Sequence, residues 1–145
     1  MTEHFCLEEL IGSQVAARLN IKNIPTDAQM IALRRTALHL ERIRDIAKSP
    51  IIILSGYRSK RLNMAVGGSR DSQHMYGEAA DIACYGYGSA FDLAKLIKDN
   101  MFAFGVDQLI YEYRRWVHVS FSVKPRQQVL TIFSREDGYK AGLFA

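Results

Sequence analysis

Two short segments carry two imidazoles and one carboxylate in contexts suited to a single metal ion. They are Ser72-Gln73-His74-Met75-Tyr76-Gly77-Glu78-Ala79-Ala80-Asp81 and Trp116-Val117-His118-Val119-Ser120. Three protein ligands of this kind leave the fourth tetrahedral position to water, which is the arrangement of hydrolytic rather than structural zinc. Sulfur does not compete for this role. Cys6 and Cys84 are too few for a disulfide framework and have no close-spaced thiol partner, so both read as free.

The elements around these residues explain how they could meet. Ala79–Ala83 reads as a short strand in which Asp81 shares a face with small Ala79 and Ala83, leaving room around a carboxylate. Trp116–Phe121 alternates in the same way, with Val117, Val119 and Phe121 on one face and Trp116, His118 and Ser120 on the other. One face is core and the other forms the floor of a polar cleft. Gly77 suits a tight loop between the first imidazole and the strand bearing the carboxylate. After Pro50, the apolar run 51–54 reads as a buried strand, and Ser55-Gly56-Tyr57-Arg58-Ser59 emerges where a sheet delivers functional groups to a cleft.

The pattern Ser-x-His-x-x-Gly-x-Ala-x-Asp, preceded by Ser-Gly-Tyr-Arg-Ser and followed by Trp-Val-His, resembles the zinc D-alanyl-D-alanine carboxypeptidase family. That family shares its fold with hedgehog signalling domains and some phage endolysins. The likeness runs from about residue 51 to 121, with its three blocks in the family's order. It implies one zinc ion per chain held by His74, Asp81 and His118. It also implies an oxyanion-stabilising arginine at Arg58, and a peptidoglycan stem peptide as substrate. Ser72, Tyr76 and Trp116 are the expected substrate contacts.

One position departs from the family pattern. Many relatives place an acidic or imidazole base three residues before the last histidine, where this chain has Arg115, which cannot act as a base. Glu112 is the replacement candidate, and hairpin register decides whether it can serve. A three-residue loop at 113–115 pairs Glu112 with Trp116 on the His118 face, whereas a two-residue loop turns it away. The chemistry therefore requires the odd loop. The competing reading keeps the fold and the metal but not the catalysis, as a structural or wall-binding protein of a virion, with Arg115 as its support.

The chain has 145 residues, 48% of them hydrophobic, which suits a single domain with a substantial core and the motif-bearing part at about 51–121. Its net charge of +4 favours an anionic partner. Nucleic acid is not implied, because Arg34, Arg35, Arg42, Arg44 and Lys48 read as the solvated face of one helix. That helix opens with the capping box Thr26-x-x-Gln29, carries Met30, Leu33, Ala37, Leu40, Ile43 and Ala47 inward, and ends at Ser49-Pro50. A short helix is expected over 59–64, a longer one capped by Ser89 and running through Asn100, and a further strand over 128–133. The residues from 134 onward read as a loose cap, the N-terminus around His4 reads as loose, and His4 and His39 stay outside the site. Helices gathered early and strands late predict an α+β fold of the hedgehog/DD-peptidase type, with a largely antiparallel sheet and flanking helices. No apolar run reaches the length of a membrane span, and the first residues lack the basic and apolar regions of an export signal. The expectation is a protein cytoplasmic as made, of phage or prophage type, that reaches the cell wall by lysis, export or within a particle.

Overall fold

The computed structural model describes residues 1–145. Six strands form one sheet in the order β1-β2-β4-β3-β5-β6, comprising β1 (Ile52–Ser55), β2 (Ala79–Ala83), β3 (Val106–Glu112), β4 (Trp116–Phe121), β5 (Gln128–Ile132) and β6 (Tyr139–Ala141). All neighbours are antiparallel except β3 and β5. The expected α+β class and mostly antiparallel sheet are what the structure has.

Period-two alternation decides which side of the sheet is core. Ala80 and Ile82 of β2, Leu109 and Tyr111 of β3, and Val117, Val119 and Phe121 of β4 all join one buried cluster. Helix α3 (Asp27–Ala47) contributes Leu33, Ala37, Leu40, Ile43 and Ala47 to that cluster, the short α4 (Lys60–Ala65) follows β1, and α5 (Ala90–Asp99) contributes Leu93, Ala94 and Ile97. The capping box of α3 forms as expected, with the Thr26 hydroxyl accepting from Gln29 N–H and the Gln29 side chain accepting from Thr26 N–H. Ser89 caps α5 in the same reciprocal way with Asp92. The opposite face of β2, β4 and β3 is left to the cleft.

Three expectations are corrected. The 51–54 run does not form a buried strand: β1 is an edge strand whose Ile52 and Leu54 are 43% and 44% exposed, while Ile51 is buried just before it. An apolar run of four does not distinguish an interior strand from an edge. The C-terminal segment is not merely a loose cap, because β6 pairs with β5 and closes the other edge of the sheet. The N-terminus is not loose either. Phe5 is buried in the core, His4 N–H and Nδ1 meet the Glu41 carboxylate at 2.8 Å each, and the short helices α1 (Leu7–Ile11) and α2 (Gln14–Arg18) follow.

The parallel pairing of β5 with β3 requires the chain to leave β4 and step across the start of β3 within residues 122–127. Asp107 holds this crossover. It sits at the register irregularity of β3, is buried, and accepts from the Arg126 backbone N–H at 2.8 Å and from the Arg126 guanidinium at 2.7–3.1 Å. Burial alone would raise the Asp107 carboxyl, but Arg126 outweighs it and holds the group below the usual carboxylate range. A carboxyl depressed in the folded state stabilises the fold above its unfolded pKa of about 3.9, and that contribution fades as pH falls through the lower folded value. Asp107→Asn is therefore expected to cost about 1.5–3 kcal/mol at pH 7. In urea denaturation the gap to wild type should shrink below about pH 4. A gap that stayed constant into acid would contradict this role.

Candidate metal centre

The 3-10 turn Gln73–Tyr76 presents His74, and Ser72 caps it by accepting from His74 N–H at 3.3 Å. Gly77 ends the turn in the left-handed region at φ 74°, and a Cβ there would press on the Gln29 carbonyl oxygen of α3 at 2.8 Å. Helix α3 grips the same loop through Thr36, whose hydroxyl donates to Gly77 O at 2.8 Å, and through Gln29, whose amide donates to Met75 O at 3.0 Å. The loop bearing the first imidazole is thus fastened to the longest helix.

Strands β2 and β4 supply the other two groups. Their register places Asp81 directly opposite His118, on the face away from the core. His74 Nε2 lies 3.2 Å from Asp81 Oδ1 and 3.2 Å from His118 Nδ1, and His118 Nδ1 lies 3.0 Å from the same carboxylate oxygen. His74 and His118 are buried, and the Asp81 side chain is nearly so.

The donor set fits a small divalent cation. His74 Nδ1 is 2.7 Å from Gly56 O, a carbonyl that can only accept, so Nδ1 carries the proton and Nε2 turns a lone pair into the cluster. There it meets a carboxylate and a second imidazole nitrogen, a convergence of acceptors that calls for a cation. Ligand atoms about 2.0–2.1 Å from a tetrahedral zinc stand about 3.3–3.4 Å apart, close to the spacing of this triangle. His74, Asp81 and His118 form the group of His, Cys, Asp or Glu residues in the protein whose ligand atoms converge closely enough to hold a metal ion.

Gly56 is indispensable to this arrangement. A Cβ at that position would collide with the Leu10 carbonyl oxygen, which itself accepts from Tyr57 N–H at 2.7 Å. Helix α1 therefore backs the carbonyl that orients His74.

The cleft above the triangle has a volume of about 790 Å³. Arg58 and Glu112 both line it. The Arg58 backbone N–H donates to His74 O at 3.1 Å, and its guanidinium fits beside Gly68, where a Cβ would stand 3.1 Å from Nη1. Burial lowers the Arg58 pKa, with Asp81 and Glu112 pulling it back up. The β3–β4 hairpin adopts the three-residue loop, with Tyr113 and Arg114 at positive φ, so Glu112 pairs with Trp116 and faces the cleft. Trp116 Nε1–H donates to Glu112 Oε2 at 2.7 Å. Burial raises the Glu112 carboxyl and Asp81 raises it further, against the opposing pull of His118, Trp116 and Arg58. Arg115 lies exposed in the turn and does not line the cleft.

The remaining expected contacts are placed unequally. Ser72 and Trp116 line the cleft, whereas Tyr76 is 53% exposed and outside its lining. His39 stacks on Phe121 at 4.4 Å, on the core side of β4, and His4 is engaged with Glu41. Cys6 and Cys84 are free, and Cys84 is buried. Gln73, Arg126, Arg135 and Tyr139 also line the cleft. Sequence reading did not single them out, since a tail strand of three residues carries no periodic signal and the Asp107–Arg126 pairing spans the crossover.

The structure is thus a mostly antiparallel α+β sheet with a His-Asp-His triangle, a group able to hold a metal ion, on its open face. The family model described as Peptidase M15 matches residues 3–120, and the chain belongs to this family of zinc D-alanyl-D-alanine carboxypeptidases. No curated protein matches the chain. No helix is long and apolar enough to cross a membrane.

Because Gly56 acts on the metal only through His74, Gly56→Ala should weaken zinc binding by about 10–100-fold, the range typical of groups that orient a ligand. His118→Ala should weaken it further. Competition with a chromogenic chelator measures both. Unchanged zinc affinity in Gly56→Ala would remove the orienting role given to the carbonyl.

Proposed function

We propose that this chain is a zinc-dependent peptidase that hydrolyses peptide bonds of peptidoglycan stem peptides. Supporting this reading above all is the placement of Glu112 on the same cleft face as the His74, Asp81 and His118 triangle. The family supports peptidase chemistry, while the substrate rests on the resemblance of the motif blocks.

The side chains divide the work. His74, Asp81 and His118 hold the ion, which when bound polarises a carbonyl and brings the pKa of water towards about 7. Glu112 is the general base. Its Oε2 is fixed by the Trp116 indole, and its Oε1 has no protein partner and is left to take the proton of the attacking water. A carboxyl raised by burial is a stronger base than an exposed one, nearer the operating pH of such a reaction. The same carboxyl then delivers the proton to the departing amine. Arg58 places a guanidinium, anchored behind Gly68, against the negative charge that develops on the carbonyl oxygen. Ser72 sets the turn that carries His74, and Trp116 sets Glu112, so both act as positioning residues and also wall the cleft.

The virion-protein alternative rested on Arg115. That residue lies in solvent and Glu112 lines the cleft, which supports the hydrolytic reading over it.

Mass spectrometry of purified muropeptides incubated with the zinc-loaded protein, beside a chelator-treated control, tests the proposal. Chelator-sensitive loss of one alanine identifies a carboxypeptidase, and separation of the stem from the glycan-linked L-alanine identifies an endolysin-type endopeptidase. No mass change under any condition would overturn the function. Glu112→Gln should retain zinc and lose about 10²–10⁴ in kcat. Arg58→Met should lose about 10²–10³. Full turnover by Glu112→Gln would reassign the base.

A further inference from the structure

Among the buried polar atoms without a hydrogen-bond partner in the protein are Arg58 Nε and Asn63 Oδ1. Buried polar groups are nearly always paired, so a donor and an acceptor left alone beside one cleft call for a common explanation. Arg58 lines that cleft, and neither Asp81 nor Glu112 comes within ion-pair distance of its guanidinium. Its charge is balanced at a distance, but no bond aims its fork.

Asn63 of α4, by contrast, is held on every side. It is 3% exposed, donates from Nδ2 to Ser69 O at 2.8 Å, accepts at its carbonyl from Gly68 N–H at 2.9 Å, and gives its own N–H to Ser59 O at 2.8 Å. These bonds settle the orientation of the side-chain amide. Turned over, it would set its oxygen against the Ser69 carbonyl, acceptor to acceptor, so Oδ1 is the atom that faces Gly68. A Cβ on Gly68 would overlap Oδ1 and stand 3.1 Å from Arg58 Nη1. The acceptor and the guanidinium thus border the same point, with only the side chain that glycine lacks between them. Gly67 turns the chain at φ 71° against the Arg135 guanidinium, whereas Gly68 is not at positive φ. What Gly68 supplies is therefore the close approach of Asn63 to Arg58.

Resting on the reading that Arg58 stabilises charge during peptide hydrolysis, we infer that Asn63 is a positioning residue for Arg58. A small rotation of the arginine brings one N–H on its buried side to Asn63 Oδ1, and the remaining N–H groups of the fork are then aimed at the reacting carbonyl oxygen. Gly68 keeps the path between the two open.

A double-mutant cycle on the zinc-loaded protein, with a muropeptide substrate, tests this. Asn63→Leu should lower kcat by about 10–100-fold with KM nearly unchanged, the loss expected when a hydrogen bond to a charged group is removed. In the Arg58→Met background the same substitution should change kcat by less than about 2-fold, because nothing is left to position. Asn63→Asp gives up the bond to Ser69 O but keeps an acceptor, so it should retain most of the activity. Gly68→Ala leaves Asn63 in place and drives a methyl between the partners, and should reproduce the loss even where Asn63→Leu does not fold. Equal losses with and without Arg58, or Asn63→Asp as impaired as Asn63→Leu, would reduce Asn63 to a loop anchor and overturn the inference. Hydrogen exchange of the Arg58 guanidinium, followed by heteronuclear NMR with no substrate present, keeps this separate from the hydrolytic reading. Exchange about 10-fold faster in Asn63→Leu and Gly68→Ala but not in Asn63→Asp upholds the positioning role even if no peptide is cut, and exchange unaffected by all three overturns it.

Discussion

The hydrogen bond between His74 Nδ1 and the Gly56 carbonyl is the constraint on which the rest of the site depends. It settles which nitrogen of the imidazole carries a proton, and so which one can donate electrons to a metal. The carbonyl in turn is held because residue 56 has no Cβ, because Leu10 O occupies the space one would fill, and because Tyr57 N–H ties Leu10 back to the same strand end. The short N-terminal helix α1, which carries none of the three triangle residues, is therefore part of the metal centre's support.

Around that bond the sheet does the positioning. Asp81, His118 and Glu112 come from three adjacent inner strands: Asp81 and His118 point to the open face because their neighbours on either side in sequence belong to the core, and Glu112 because Tyr111 before it does. The alternation leaves no half measures. One residue more or less in the β3–β4 turn would exchange the faces of the whole β3 strand, bringing Tyr111 into the cleft and Glu112 into the apolar layer. Two consecutive non-glycine residues in the left-handed region, Tyr113 and Arg114, are the local strain that the three-residue turn accepts.

Much of this was legible in the chain because it is local. Alternation over Trp116–Phe121, the capping box at Thr26, the cap at Ser89, and the spacing of His74, Gly77 and Asp81 are each read within a few residues. What was not legible is what joins distant segments. Leu10 and Gly56, Asp107 and Arg126, and Gly67 and Arg135 are partners only through the fold, and nothing in either member of a pair announces the other. The edge position of β1 was hidden for a related reason. Ile51 to Leu54 are equally apolar, and only the strand order reveals that Ile52 and Leu54 face outward with no further strand beside them.

The strand order also separates two tasks within one molecule. The His74, Asp81 and His118 triangle and Glu112 lie on or beside inner strands β2, β4 and β3, while Tyr139 stands on β6 at the margin, joined to the sheet by three residue pairs. Replacing or lengthening the closing segment would reshape the wall that meets the substrate without disturbing a single ligand. Such a layout makes selectivity separable from reactivity: one cleft floor can be fitted to different ligands by exchanging the segment from residue 134 onward, with the sheet interior as an unchanged chassis.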